Sequence, residues 1–174
     1  MSEHGNITDK SDDWYTPRYV FDALGVTFDL DVSAPIEGPR YVPAASWFWE
    51  RGLEQEWRGF VWMNPPFGHQ STKIAWLTKF IAHGNGVALL PDRTSAPWWQ
   101  WAVPQMEALL FVSPKIKFER PDGSIGEQPG SGTVLMAIGP TGIGSLVSAA
   151  IACLGILASP RYPPPSQGKL GSEL

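Results

Sequence analysis

Apolar residues along this chain fall into two kinds of run. Short, nearly continuous runs at 26–31 ("VTFDLD"), 60–63 ("FVWM"), 87–90 ("VALL"), 108–114 ("ALLFVSP") and 133–139 ("TVLMAIG") are rich in β-branched and aromatic residues. Their length and lack of polar alternation predict buried strands. Between them the apolar positions recur at intervals of three and four. Ile74, Leu77, Phe80 and Ile81 form one such stripe, closed by Gly84, and predict an amphipathic helix. A helix is also expected over "PRYVFDAL", where Pro17 suits the first turn. Two more are expected, over "SAPWWQWAVPQMEAL" with an interruption at Pro104, and near 143–158. The segment 35–49 reads as loop, and 115–132 as a strand edge followed by a Gly-rich excursion. Strands apolar on both faces, alternating with helices, predict an α/β fold with a mostly parallel sheet and helices on both faces.

The ends differ in character from the middle. Residues 1–12 are polar and read as a flexible arm, 159–174 are rich in Pro and Gly and read as a tail, and 13–158 make a single domain. The 16 apolar-rich residues at 143–158 fall short of the roughly 20 that cross a bilayer, and no secretory signal opens the chain. No membrane partner is expected.

Composition narrows the chemistry. At 174 residues and 43% hydrophobic, with nine Trp and eight Phe, the chain has the material for one well-filled core. Its formal charge of -4 leaves no global basic footprint, which argues against permanent residence on nucleic acid and leaves room for a local basic groove. Cys153 is the only cysteine, so no disulfide framework forms within the chain and a reducing cytoplasm is the simplest compartment. His4, His69 and His83 lack metal-ligand spacing, and no metal is expected. The Trp cluster at 98, 99 and 101 reads chiefly as packing.

Ligands of such sheets sit at the carboxyl ends of the strands. Three of these ends carry polar or proline-bearing turns: "DLDVSAP", "NPPF" and "PDRT". In "NPPF" the prolines hold an extended backbone without local hydrogen bonds, so the Asn64 side-chain carbonyl and a neighbouring main-chain carbonyl can converge on one amine. Phe67 supplies a ring face for a planar base. The tetrapeptide taken alone fits the amine of adenine, that of cytosine, or the amide of a protein glutamine. A non-catalytic nucleic-acid-binding module of the same fold is the reading from a different class.

The order of the motifs resembles one family, the phage-type, Dam-like DNA N6-adenine methyltransferases. "DDWYTPRYVFDAL", "FDLDVSA", "GLEQEWRGFVWMNPPF", Trp76 with Lys79, "VALLPDRTSAPWW" and "KIKF" are similar to that family's segments in sequence order, over about 13–138. The resemblance implies a Rossmann-like, S-adenosylmethionine-dependent methyltransferase fold that acts on adenine in DNA, in the cytoplasm of a phage-infected or prophage-carrying host. It implies that Asn64, Pro65, Pro66 and Phe67 receive a flipped-out adenine. Thr16, Pro17, Asp31 and Ala34 would line the cofactor pocket, with Asp31 on the methionine ammonium and Asp29 its nearest rival. Arg93 and Thr94 would border the site, and Lys73, Lys115 and Lys117 would meet phosphates. Glu50, Glu54 and Glu56 remain open as the ribose partner. Two departures stand out: no Gly-x-Gly follows the first strand, and Phe67 replaces the family's common Tyr. With no room for a large target-recognition domain, sequence reading is expected from loops such as 35–49 and 119–131.

Overall fold

The apolar runs become the middle strands of one sheet. The computed structural model describes residues 14–66, 69–126 and 130–160. In chain order its elements are α1 (Arg18–Leu24), β1 (Phe28–Asp31), β2 (Ala44–Trp47), β3 (Val61–Met63), α2 (Gln70–His83), β4 (Gly86–Pro91), α3 (Pro97–Ala102), β5 (Ala108–Val112), β6 (Thr133–Ile138), α4 (Pro140–Ile151) and β7 (Gly155–Ala158). All seven strands join one sheet in the order β2-β1-β3-β4-β6-β5-β7. The expected arm at 1–12, and the expected tail beyond its first two residues, lie outside the described residues.

Alternation along β4, β5 and β6 builds two cores. Val87, Leu89, Ala108, Leu110, Leu135 and Ala137 meet α1 and α4 on one face. Ala88, Leu90, Leu109, Val134 and Met136 meet α2 and α3 on the other, where Trp57, Trp76, Trp98 and Trp99 are buried with them. Helices therefore cover both faces. Gly84, in the left-handed region, closes α2 with its N–H donating to the Phe80 carbonyl, as the sequence pattern predicts. The helix expected over 95–109 is interrupted at Pro104 as its sequence predicts: α3 gives way to a 3-10 turn at Val103–Gln105, and β5 begins at Ala108.

Three expectations need correction. The sheet is evenly mixed, because β1–β2, β1–β3 and β3–β4 are parallel ladders while β4–β6, β5–β6 and β5–β7 are antiparallel. Apolar runs report burial on both faces, and the direction of a strand leaves no mark in them. The 35–49 loop contains β2, a half-polar edge strand that the sequence pattern hides. The helix expected over 143–158 is two elements: α4 ends at Ile151, Cys153 takes φ 60°, and the chain turns back as β7 along β5. Gly155 permits that pairing, since a Cβ there would lie 2.1 Å from the Phe111 carbonyl oxygen. An uninterrupted apolar run does not separate a helix from an edge strand.

Candidate active site

The connection leaving β1 runs to β2 on one side and the connection leaving β3 runs to β4 on the other, so the order reverses between β1 and β3. Such a switch point opens a crevice beyond the carboxyl ends of the strands. A cavity of about 800 Å³ fills it, floored by residues 31–34 from the end of β1 and by Asn64, Pro65 and Pro66 from the end of β3. Its size suits a nucleoside-sized ligand.

Four residues from three segments are hydrogen-bonded across this floor. The Ser33 N–H donates to Asp31 Oδ1 (3.1 Å), and the Asn64 main-chain N–H donates to Ser33 Oγ (3.0 Å). The Asn64 side-chain amide donates to Thr16 Oγ1 (3.4 Å). The donor end of that amide is thus turned to Thr16, and its carbonyl oxygen points the other way. Asp31 is only 2% exposed. Burial pushes its carboxyl up to about 7, against a smaller opposing effect of the Ser33 N–H. No lysine or arginine among the described residues forms an ion pair with it. A carboxylate this deep, aimed at a cavity, suits a ligand cation. Asp29 does different work, accepting the Phe60 N–H (2.6 Å) and so fastening β1 to the start of β3.

A model of the DNA N-6-adenine-methyltransferase (Dam) family matches residues 5–138. The chain belongs to that family. No curated protein and no solved structure matches it. As a Dam-family enzyme it is an adenine-specific DNA methyltransferase, and its site must hold a methyl donor and a DNA base side by side. The match takes in the cavity floor and ends with β6, so α4 and β7 lie beyond it.

Of the cofactor residues expected from sequence in this Dam-family chain, Thr16, Asp31 and Ala34 line the cavity, whereas Pro17 is buried as the residue preceding α1. Among the acidic candidates Glu50 lines it, while Glu54 pairs with Arg51 and Glu56 with Arg58 (2.8 Å) on the surface. The turn bearing Glu50 is pinned to α2. The Lys79 ammonium donates to the carbonyls of Gly52 (3.3 Å), Leu53 (2.8 Å) and Gln55, and the Trp57 indole N–H donates to Gly52 (2.7 Å).

Of the loops expected to read DNA sequence, 35–49 lines the cavity and is held in place by residues 119–121. Pro35, Arg40, Tyr41, Phe48 and Trp49 all line it. The Arg40 guanidinium lies 4.0 Å over the Tyr15 ring and donates to the carbonyls of Arg120 (3.1 Å) and Pro121 (2.6 Å). Tyr41 donates to Glu119 (2.9 Å), and Tyr15 and Glu119 exchange main-chain hydrogen bonds of 2.9 and 3.0 Å. Sequence reasoning missed this wall, and Ser33 with it, because its partners are up to 81 residues apart.

The remaining expected residues share the rim at the ends of β4 and β5. Arg93 and Thr94 are exposed just past β4, and Lys115 and Lys117 are exposed just past β5, with the Lys115 ammonium donating to the Gly130 carbonyl (3.4 Å). Lys73 is buried on α2 rather than offered on the surface. Burial, and then the nearby Arg93 charge, hold its ammonium below the usual lysine range. Phe67 lies outside the described residues. No described helix is long and apolar enough to cross a membrane, and no group of three or more His, Cys, Asp or Glu among the described residues is placed to hold a metal ion.

Proposed function

We propose that this chain is an S-adenosylmethionine-dependent enzyme that methylates the exocyclic N6 amine of a flipped-out adenine, in a single Rossmann-like domain spanning 13–158. The observation that carries the reading is Asn64, tied by its side-chain amide to Thr16 and by its main-chain N–H to Ser33, at the edge of a cavity whose floor holds the buried Asp31. The cavity fits the cofactor in size, in its largely apolar lining and in its one deep carboxylate. S-adenosylmethionine, when bound, supplies an electrophilic methyl group on a sulfonium sulfur. Asp31 would hold its ammonium, Glu50 its ribose hydroxyls, and Thr16, Ala34 and Trp49 its flanks.

Asn64 and the main chain of Pro65 and Pro66 act on the base. The Asn64 carbonyl oxygen and a motif carbonyl accept both N–H bonds of the amine, which fixes its direction and raises electron density on nitrogen. Phe67 stacks on the flipped ring. Arg93, Thr94, Lys115 and Lys117 meet the backbone of the same strand, and a phosphate near Lys73 and Arg93 would relieve the repulsion between those two cations. The setting is the cytoplasm of a phage-infected or prophage-carrying cell.

Transfer of tritiated methyl to unmethylated DNA tests the reading. Asn64→Ala is expected to lose about 10²-fold or more of the rate while still binding the cofactor product. Equal labelling by the variant and the native chain would remove Asn64 from the mechanism. Mass analysis of the digested DNA separates methyladenine from methylcytosine.

A further inference from the structure

The last described part of the chain is unlike the rest. From Gly139 to Pro160 there is no charged residue and no histidine in the sequence. This stretch forms α4 and β7 and lies beyond the family match. Four large apolar side chains reach solvent along it: Val147 (39% exposed) and Ile151 (79%) one turn apart on α4, and Ile156 (73%) and Leu157 (40%) on β7. β7 is the last strand of the sheet and pairs only with β5 among the described residues, so its other edge presents free main-chain donors and acceptors. Sheet edges are ordinarily guarded by lysine, inward charges or bulges. Among the described residues none of these guards β7.

We propose that this margin is the interface of a homodimer in which β7 pairs antiparallel with β7 of a second copy. Charge selects the occupant. DNA has no cation to meet here. A chain of net charge -4 repels its own copies at most approaches, and this neutral face is where two copies meet without that cost. Antiparallel pairing of one strand with itself is what a twofold axis produces. Register then follows from side-chain direction. Leu157 pairs with Leu110 and so shares the α4 face, whereas Ile156 pairs with Phe111 and shares the α3 face. An axis perpendicular to the sheet keeps both α4 helices on the same side of one joined sheet, which brings Val147 and Ile151 of the two copies together. That axis requires a residue to face its own counterpart, and centring it on Ile156 sets Ile156 opposite Ile156. The substrate rim, at the ends of β3 and β4, stays open.

Sedimentation and light scattering of the full chain over a range of concentrations test the proposal, with circular dichroism to show that each variant is folded. The native chain is expected to be a dimer. Ile156→Lys and Ile156→Glu should each be monomeric, and an equimolar mixture of the two should regain the dimer, because the register sets the new charges face to face. Ile151→Glu should weaken association without a change in fold. A native chain that is monomeric at every concentration overturns the proposal. So does a dimer untouched by either Ile156 variant, or a mixture that stays monomeric. Removal of 161–174 should leave the dimer intact. If it converts a monomer into a dimer, those residues rather than a second copy occupy the edge. Methyl transfer is not the readout, so this outcome is independent of the proposed chemistry.

Discussion

Asp31 is a carboxylic acid buried without a cation, and its behaviour with pH follows from that. Its carboxyl is pushed up to about 7 from an ordinary value of 3.8. Because the folded value is raised, the stability associated with Asp31 is fully present below the ordinary carboxylate range and is lost as pH rises through about 7. A bound ammonium reverses the preference, since it needs the carboxylate. Affinity for the cofactor product is therefore expected to fall about tenfold per pH unit below about 7 and to level off above it, as read by calorimetry. Asp31→Asn should bind more weakly and lose this dependence; a variant with the native profile would place the ammonium elsewhere. Sequence singled out Asp31 by its position after a strand and by family resemblance, with Asp29 as the rival. Only burial separates them: Asp29 is exposed and fastens a neighbouring strand, and Asp31 faces the cavity.

Elements position these residues by close approach. The turn after Glu50 passes so near the end of β1 that a Cβ on Gly52 would lie 2.2 Å from the Val32 carbonyl oxygen and 2.9 Å from the Trp76 ring. Gly52→Ala is expected to cost about 1–3 kcal/mol, because main chain and a buried indole must shift together. Thermal melting should show this as a lowered midpoint with a smaller upward shift on adding the cofactor product; an unchanged midpoint would mean that the turn has slack. The strong strands and the α2 helix were legible because their apolar spacing matches their geometry. β2 was not, since an edge strand of the kind "AASW" lacks the continuous apolar run of a buried one. β7 was not either, since "GILA" continues the apolar pattern of the helix before it.

At the scale of the whole molecule, net charge and local charge disagree. The chain is acidic overall, yet Arg93, Lys115 and Lys117 stand on the same rim beyond β4 and β5. Binding to duplex DNA should weaken steeply with salt, and each of Arg93→Ala, Lys115→Ala and Lys117→Ala should reduce the slope of log K against log salt by about 0.9 if its side chain meets one phosphate. Anisotropy titrations of labelled DNA measure this, and three unchanged slopes would move the DNA to another face. The sequence by itself determined the α/β class, the central strands and the family, and it singled out the tetrapeptide at 64–67, because these depend on local spacing and on motifs only a few residues long. Tertiary structure alone decided strand direction, the burial that distinguishes Asp31 from Asp29, the placing of Glu50 on the cavity while Glu54 and Glu56 pair with arginines elsewhere, and the use of 35–49 as a cavity wall held by 119–121. Each of these rests on contacts between distant segments, and the energy of such contacts leaves no periodic trace along the chain.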